Sequence, residues 1–283
     1  MILCIVGPTG VGKTKMSIEL AKKLNAIIIN ADAVQIYKYL NIGSAKIKDE
    51  EKEGIEHLLF DIKAPNEEYS IKDYQSDLRN ILEQYKNRNI ILVGGSGLYM
   101  CAGLMDYRFY DDINDDNYDE LNNEELYKLV LDKDKNSKID KNNRVRMIRF
   151  LKRSTNELVE PVILYDDVYF IGLTTDRKHL YEIINNRVDK MFNDGLINEA
   201  KYLFDKYPNS HILKRAIGYK ELLGYFNGDY SLEEAKDLIK KNSRHYAKRQ
   251  YTWFNNKMNI KWFEVNYSNF DETIEQVNNY LGL

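Results

Sequence analysis

The 283-residue chain is long enough for one large domain with a substantial core, or for a domain that carries an inserted subdomain. Its 43% hydrophobic and 30% charged residues are typical of an ordinary globular protein, and the formal net charge of −3 does not by itself indicate a nucleic-acid partner. Two cysteines make neither a disulfide framework nor a zinc site, and we find no signal peptide and no long apolar run, so a cytoplasmic protein without a membrane span is expected.

The first predicted element is a strand over residues 1–6, followed by G-P-T-G-V-G-K-T and a helical pattern. A strand, a glycine-rich turn and a helix N-terminus in this order are typical of a phosphate-binding P-loop. The glycines let successive backbone N–H groups point at one anion, and the helix that begins near Lys13 adds its N-terminal partial charge. We predict that Lys13 supplies a mobile cation and that the Thr14 hydroxyl binds Mg²⁺. The predicted loop consists of Gly7, Pro8, Thr9, Gly10, Val11, Gly12, Lys13 and Thr14.

Asp32 follows the second predicted strand, which covers residues 26–29. In open α/β sheets, residues just past the carboxyl ends of the strands line the ligand crevice, so we expect Asp32 near the bound anion. The functional interpretation is a carboxylate that removes a proton from a nucleophile, or one that binds Mg²⁺ through water. The structural alternative is a cap for a helix that begins at Ala33.

The third predicted strand covers residues 90–93 and ends in Gly94-Gly95-Ser96-Gly97. A P-loop ATPase of the usual kind carries Asp or Glu at this point, where the carboxylate holds metal or orients water. Here only backbone amides and a hydroxyl are available. The stretch therefore favours a close approach of the main chain to a ligand over nucleotide hydrolysis.

Two more apolar runs, at 168–171 and 260–265, complete five predicted strands that long helical patterns separate. This alternation predicts an α/β fold with a parallel sheet and flanking helices. The C-terminal third is expected to be helical, apart from a loop at Pro208 and turns near Gly224 and Gly228.

The alternation fails between residues 106 and 160, where an acid-rich stretch and then a helical pattern replace any convincing strand. We interpret residues 106–160 as a mainly helical subdomain inserted into an α/β core formed by 1–105 and 161–283.

Charge is unevenly distributed along the chain. Residues 106–125 hold nine acids and one arginine, whereas 141–153 hold six Lys/Arg and 238–263 hold seven, both without an acid. Within the last stretch, Lys241, Arg244, His245 and Lys248 have the spacing of one helical face. A single charged run is usually a solvated face, but two acid-free basic helices, one with Tyr246, Tyr251 and Trp253, are suggestive of a polyanion partner.

In its motifs the chain resembles the tRNA dimethylallyltransferases, also called isopentenyl-tRNA transferases, nearly from end to end. Each motif is moderately specific and the ordered set is highly specific. The motifs are G-P-T-G-V-G-K-T at 7–14, A-D-A-V-Q-I-Y-K-Y-L-N-I-G-S-A-K at 31–46, H-L-L-F-D-I-K-A-P-N-E-E-Y-S at 57–70, V-G-G-S-G-L-Y at 93–99, N-R-V-R-M-I-R at 143–149, A-I-G-Y-K-E at 216–221 and Y-A-K-R-Q-Y-T-W-F at 246–254.

The resemblance implies a P-loop-type fold and the transfer of a dimethylallyl group from dimethylallyl diphosphate to N6 of the adenosine 3′ of the anticodon, with Mg²⁺. The P-loop would then hold the diphosphate that leaves, rather than a phosphate that is transferred. Asp32 aligns with the family's general base, Lys13 with its loop lysine, and Thr14 with its metal ligand. Arg215 matches a position where some members carry an arginine near the diphosphate.

The same resemblance implies that the tRNA anticodon stem-loop is the partner and that the insertion grips it; for the chain itself we expect a monomer. The residues implied to contact tRNA are Asp32, Ala33, Val34, Gln35, Ser96, Val145, Arg146, Met147, Ile148, Arg149, Arg244, Lys248 and Arg249. Three positions depart from the family pattern: Ala33 replaces the usual Ser, Ser96 the common Thr, and Glu56 a frequent His.

Three other functions share parts of this pattern. A small-molecule P-loop kinase would use the loop for ATP and Asp32 to activate a hydroxyl, but it would have no use for two basic helices. A prenyltransferase acting on free AMP or ADP would share the loop and Asp32 but would likewise not need the basic segments. A non-catalytic RNA-binding P-loop protein would tolerate the loss of Asp32.

Overall fold

The structure, a computed structural model, describes residues 1–109, 117–152 and 161–283. Four acids of the acid-rich stretch (Asp111, Asp112, Asp115 and Asp116), Arg153 of the first basic run and the end of the predicted insertion at 160 lie outside the described residues. The described chain divides into two compact units, one of Met1–Met105 with Ile163–Leu283 and one of Asp106–Val162. The second unit corresponds to the insertion predicted at 106–160.

The first unit is built on a parallel sheet, as the alternating pattern predicted. Within the described residues the sheet has six strands in the order β3-β2-β4-β1-β5-β6. The strands are β1 (Ile2–Val6), β2 (Ile27–Asn30), β3 (His57–Leu58), β4 (Ile90–Val93), β5 (Val168–Thr174) and β6 (Lys261–Glu264). β3 was not predicted from the sequence, because a strand of two residues is too short to show a strand pattern.

Helices cover the sheet and form most of the C-terminal third. Those of the first unit are α1 (Lys13–Leu24), α2 (Ile71–Gln84), α3 (Gly97–Leu104), α6 (Arg177–Asn193), α7 (Leu196–Lys206), α8 (Tyr219–Asn227), α9 (Leu232–Lys257) and α10 (Phe270–Leu281), and the second unit has α4 (Asn123–Lys133) and α5 (Arg144–Lys152). The predicted turn near Gly224 is wrong, because Gly224 lies inside α8, where a Cβ would come within 2.3 Å of the Tyr230 hydroxyl. Gly228 does end that helix in a left-handed conformation.

The core explains the apolar pattern of the strands. Side chains of β1, β4 and β5 pack against one face of α1, through Leu3, Ile5, Ile91 and Ile171 among others, and all of these are fully buried. Cys4 is buried in the middle of β1, as expected for a small core residue. Because all strands are parallel, the carboxyl ends of β1, β2 and β4 meet at one edge of the sheet, which brings the segments that follow them together.

The second unit has its own small core. Leu126 and Val130 of α4 pack with Met147, Phe150 and Leu151 of α5. Asn122 caps α4 by accepting the backbone N–H groups of Glu124 and Glu125. Across all the described ranges, no helix combines the length and the apolar character needed to cross a membrane.

Candidate active site

The P-loop connects β1 to α1 with the geometry of an anion cradle. Gly7, Gly10 and Gly12 have φ values of 139°, 90° and 91°, in the region that favours glycine. Gly12 is the N-cap of α1, and among the described residues no side chain caps this helix end. The first N–H groups of α1 therefore remain available for an anion, and the helix dipole favours negative charge there.

Lys13 lies at the first position of α1 and folds back over the loop. Its ammonium donates to the carbonyl oxygens of Gly7 at 2.9 Å and Pro8 at 2.7 Å. Burial of the ammonium, together with the positive charge of Arg187, lowers the pKa of Lys13 to about 7, although the Asp32 carboxylate opposes the shift. A bound anion would favour the charged form of this lysine.

Asp32 is held just beyond β2 by its neighbours. The Asn30 side chain accepts the Asp32 N–H at 2.9 Å and donates to the Asp32 carbonyl oxygen at 3.0 Å. Oδ1 of Asp32 accepts the N–H of Val34 at 2.9 Å, while Oδ2 makes no hydrogen bond within the described residues. The structural alternative is wrong in its detail, because residues 33–36 form turns and no helix begins at Ala33. One carboxylate oxygen thus fixes the turn and the other is available for chemistry.

The glycine-rich end of β4 packs closely against other parts of the fold. A Cβ on Gly94 would lie 2.1 Å from the Ala31 carbonyl oxygen, one on Gly95 would lie 1.9 Å from the Gln250 amide nitrogen, and one on Gly97 would meet the Trp253 ring at 2.1 Å. The space that these glycines leave is filled by the protein itself. Gly94 also lines the cavity described below, so the expected close approach of main chain to a ligand stays a prediction at this position.

Ser96 connects this segment to the turn that carries Asp32. Its hydroxyl accepts the N–H of Ala33 at 3.2 Å. Burial and the nearby Asp32 carboxylate raise the pKa of Tyr246, and hydrogen bonds with Ser96 and Gln250 partly oppose this shift. Gln250, 5% exposed, donates to the Gly95 carbonyl oxygen at 3.1 Å, and its Oε1 has no partner among the described residues.

Arg187 is a cavity-lining cation that was not predicted from the sequence. It lies on α6, and its guanidinium donates to the Ser44 carbonyl oxygen at 3.3 Å. Burial lowers the pKa of Arg187, and the Asp32 carboxylate opposes this. The sequence signal for Arg187 was its spacing. It lies on the same helical face as three apolar residues, Ile184, Val188 and Met191, so it interrupts an otherwise apolar stripe.

These groups line a single cavity of about 510 Å³. The predicted residues that line it are Thr9, Gly10, Gly12, Lys13, Thr14, Asp32, Val34, Gln35, Arg215 and Arg249, and further polar lining residues are Arg187, Tyr246 and Gln250. Its apolar wall includes Ile47, Phe60, Val93, Ile184, Val188, Met191, Ile217 and Ile239. An anion cradle, three arginines and a carboxylate thus share one space with an apolar surface, which suits a ligand that joins a diphosphate to a small hydrocarbon group.

Other predicted residues lie outside this lining. Gly7, Pro8 and Val11 are buried residues of the P-loop, and the Ala33 N–H is bound to Ser96. Arg244 is engaged within the protein, because it donates to Asn185 at 2.6 Å and lies over the Tyr181 ring. Lys248 is exposed and, with Arg249, lines a shallow neighbouring depression that includes Trp253.

Comparison with known proteins identifies this arrangement. The family model described as IPP transferase matches residues 35–257. A tRNA dimethylallyltransferase from Anoxybacillus flavithermus is 42% identical over 298 residues, covering 99% of this chain and 96% of the relative. One from Bacillus subtilis is 43% identical over 285 residues, covering 93% and 90%. The chain belongs to the IPP transferase family.

Solved structures of this family share the fold. The tRNA isopentenylpyrophosphate transferase of Bacillus halodurans matches with a TM-score of 0.78 at 38% identity, over 99% of this chain and 95% of that one. A eukaryotic dimethylallyltransferase described as acting on tRNA matches with a TM-score of 0.83 at 26% identity, over 99% of this chain and 79% of its own. The P-loop-type α/β fold expected from the resemblance is thus confirmed.

The α5 residues that the family resemblance implied as tRNA contacts fall into two groups. Val145, Arg146 and Arg149 are exposed, and Val145 is 68% exposed. Ile148 is partly buried. Met147 is fully buried in the core of the second unit, so its side chain is corrected from a surface contact to a packing residue.

The donor groups of the cavity are compatible with the Mg²⁺ expected for an IPP transferase. Among the described residues no group of three or more His, Cys, Asp or Glu could hold a metal. Mg²⁺ commonly uses only one or two protein oxygens together with phosphate oxygens and water. The Thr14 hydroxyl and the Asp32 carboxylate both line the cavity and suit such a site.

Proposed function

We propose that this chain transfers a dimethylallyl group from dimethylallyl diphosphate to N6 of the adenosine 3′-adjacent to the anticodon in tRNA, and that it releases diphosphate. The observation that carries the proposal is the shared cavity, in which an uncapped P-loop, Lys13 and Arg187 face the same space as the available oxygen of Asp32. The names of the relatives support the choice of substrate class.

The P-loop side of the cavity suits the leaving group. When the bond between the allylic carbon and the diphosphate oxygen breaks, negative charge grows on the diphosphate. The N–H groups at the α1 N-terminus, the Lys13 ammonium and the Arg187 guanidinium are already in place to stabilise that charge. Mg²⁺, held by Thr14, would supply further charge neutralisation. Arg215 is exposed at the cavity wall and remains a second candidate for the diphosphate.

The Asp32 side suits the nucleophile. The lone pair of an exocyclic adenine amine is delocalised into the ring, so the amine attacks more readily when it loses a proton. N6 forms the new bond to the allylic carbon, the diphosphate takes the electrons of the broken bond, and Asp32 accepts the N6 proton. The base must leave its stack to enter the cavity, as bases in RNA loops are able to do.

We propose that the partner is the tRNA anticodon stem-loop, that the enzyme acts in the cytoplasm and that the chain acts as a monomer. The exposed cations Arg146 and Arg149 on α5 and Lys248 and Arg249 on α9 are available for its phosphates. Contacts of this kind position an RNA rather than specify its sequence.

A label-transfer experiment tests the proposal. Labelled dimethylallyl diphosphate and Mg²⁺ are offered with unmodified tRNA, with the same tRNA carrying guanosine in place of the target adenosine, and with AMP. We expect label in the first RNA alone, with one diphosphate released per label. Label in AMP alone would instead identify an adenylate prenyltransferase, and ATP-dependent phosphorylation of a small molecule without label transfer would identify a kinase.

A further inference from the structure

Glu199, in the first turn of α7, binds a loop of the cavity wall although it does not line the cavity itself. Its carboxylate accepts three consecutive backbone N–H groups, those of Asn41 at 3.1 Å, Ile42 at 2.9 Å and Gly43 at 3.0 Å. It also accepts the Tyr219 hydroxyl at 2.6 Å. Three backbone donors that converge on one point form an anion-binding concavity, and here the protein fills it with its own carboxylate.

The loop that Glu199 holds leads directly to the cavity. Gly43 packs on the Tyr219 ring so closely that a Cβ would lie 2.6 Å from the ring carbons. The next residue, Ser44, lines the cavity and presents its carbonyl oxygen to two side chains. Arg187 donates to this oxygen at 3.3 Å, and Gln35 donates to it at 3.1 Å.

We propose that Glu199 is a positioning residue of the site: it fixes residues 41–43, and through them the Ser44 carbonyl oxygen that orients the Arg187 guanidinium toward the diphosphate. The inference rests on the proposed function for the identity of that ligand. It assigns a role to a carboxylate on α7, an element that contains neither a P-loop residue nor Asp32.

The charge and shape of the carboxylate matter for this role. All the hydrogen bonds that the structure gives Glu199 are accepted bonds, and both oxygens take part. Glu199→Gln keeps the volume of the side chain but replaces one acceptor oxygen with an NH₂ group. This NH₂ donor would face at least one of the N–H donors, and the two cannot form a hydrogen bond. Removing a charged acceptor from several donors is costly, because each donor is left without its charge-assisted partner.

The experiment measures the binding of inorganic pyrophosphate with Mg²⁺ by calorimetry, for the wild type, Glu199→Gln, Arg187→Gln and the double variant. We expect Glu199→Gln to weaken pyrophosphate binding on the order of 10-fold. Because the effect passes through Arg187, Glu199→Gln should weaken binding much less in the Arg187→Gln background. Glu275→Gln, an exposed glutamate on α10, is the matched control and should bind as the wild type does.

Tyr219→Phe is a milder second variant, since it removes one donor to Glu199 and leaves the carboxylate in place. We expect it to weaken pyrophosphate binding by a smaller factor, also only while Arg187 is present. Unchanged binding in Glu199→Gln, or equal losses in both backgrounds, would overturn the inference and leave the proposed function intact. A wild type that binds no pyrophosphate would contradict the proposed function and the positioning role together.

Discussion

At the scale of single residues, Asp32 shows how the fold leaves one functional atom available. Asn30 holds its backbone from both sides, and its Oδ1 is occupied by the Val34 N–H. A side chain fixed in this way loses little conformational freedom when a substrate binds, which favours a catalytic role for Oδ2.

Replacing Asp32 with Asn tests that role with little disturbance of the turn, because the amide oxygen of Asn can still accept the Val34 N–H. We expect turnover to fall on the order of 10²–10⁴-fold through loss of the general base, with tRNA affinity nearly unchanged. Single-turnover transfer rates and filter-binding of tRNA are the measurements.

Asp32→Ala provides the comparison, since it removes both the base and the turn acceptor. An Asn variant that lost tRNA binding to the same extent as the Ala variant would show that Asp32 is structural.

At the scale of an element, α9 has two faces with different tasks. Ala235, Ile239, Ala247 and Phe254 are fully buried, so this face anchors the helix to the core. On the basic face expected from the sequence, Arg244 is bound to Asn185, whereas Lys241, His245 and Lys248 are exposed. The α9 residues that the resemblance implied as tRNA contacts and that are exposed are Lys248 and Arg249. Phosphate contacts are therefore expected mainly at the latter two.

The double variant Lys248→Ala/Arg249→Ala should weaken tRNA binding and reduce its salt dependence. Each lost phosphate contact should lower the slope of log affinity against log salt by about 0.7–0.9. The measurement is the tRNA dissociation constant at several salt concentrations.

Lys72→Ala/Lys86→Ala removes the same charge from exposed positions on and just after α2 and serves as the control. A slope that is the same in both double variants would place the tRNA on another surface.

At the scale of the whole molecule, two buried positive charges in the cavity lower the stability of the free protein. Lys13 and Arg187 come from distant parts of the chain and line one cavity, where burial disfavours both charges. Active sites commonly hold such unfavourable charges in readiness for a ligand. The stability of the free protein should therefore depend on pH through Lys13.

The direction follows from the pKa of Lys13, which folding lowers from 10.5 to about 7. Between these values the unfolded chain holds the proton and the folded chain does not, so this group increasingly favours folding as the pH rises through the interval. Below pH 7 both states are protonated and the buried charge is fully unfavourable. Lys13→Met should consequently be more stable than the wild type at pH 6, and its advantage should shrink as the pH rises above 7.

Urea unfolding of both proteins at pH 6, 7.5 and 9 measures this difference. Lys15→Met, at the exposed neighbouring lysine, is the matched control and should show no such trend. A stability difference between Lys13→Met and the wild type that stays constant across these pH values would contradict the lowered pKa of Lys13.

Most of the sheet could be predicted because its strands lie in apolar runs that are separated by regular helical patterns. The short strand β3 could not, since it depends on pairing with β2 rather than on its own two residues. The packing of Gly94 against the Ala31 carbonyl oxygen could not be predicted either. A glycine that follows a strand gives the same sequence pattern whether a ligand or another part of the protein fills the space beside it.

The sequence by itself determined the P-loop, the place of Asp32 after β2 and the family, because these depend on local order along the chain. Only the tertiary structure decided that Arg187 and Gln250 line the same cavity and that Glu199 binds a loop of its wall. Their roles depend on distances between residues more than a hundred positions apart, such as Glu199 with Gly43 and Gln250 with Gly95. Such contacts form when helices close over the carboxyl edge of the sheet, and no spacing along the chain records them.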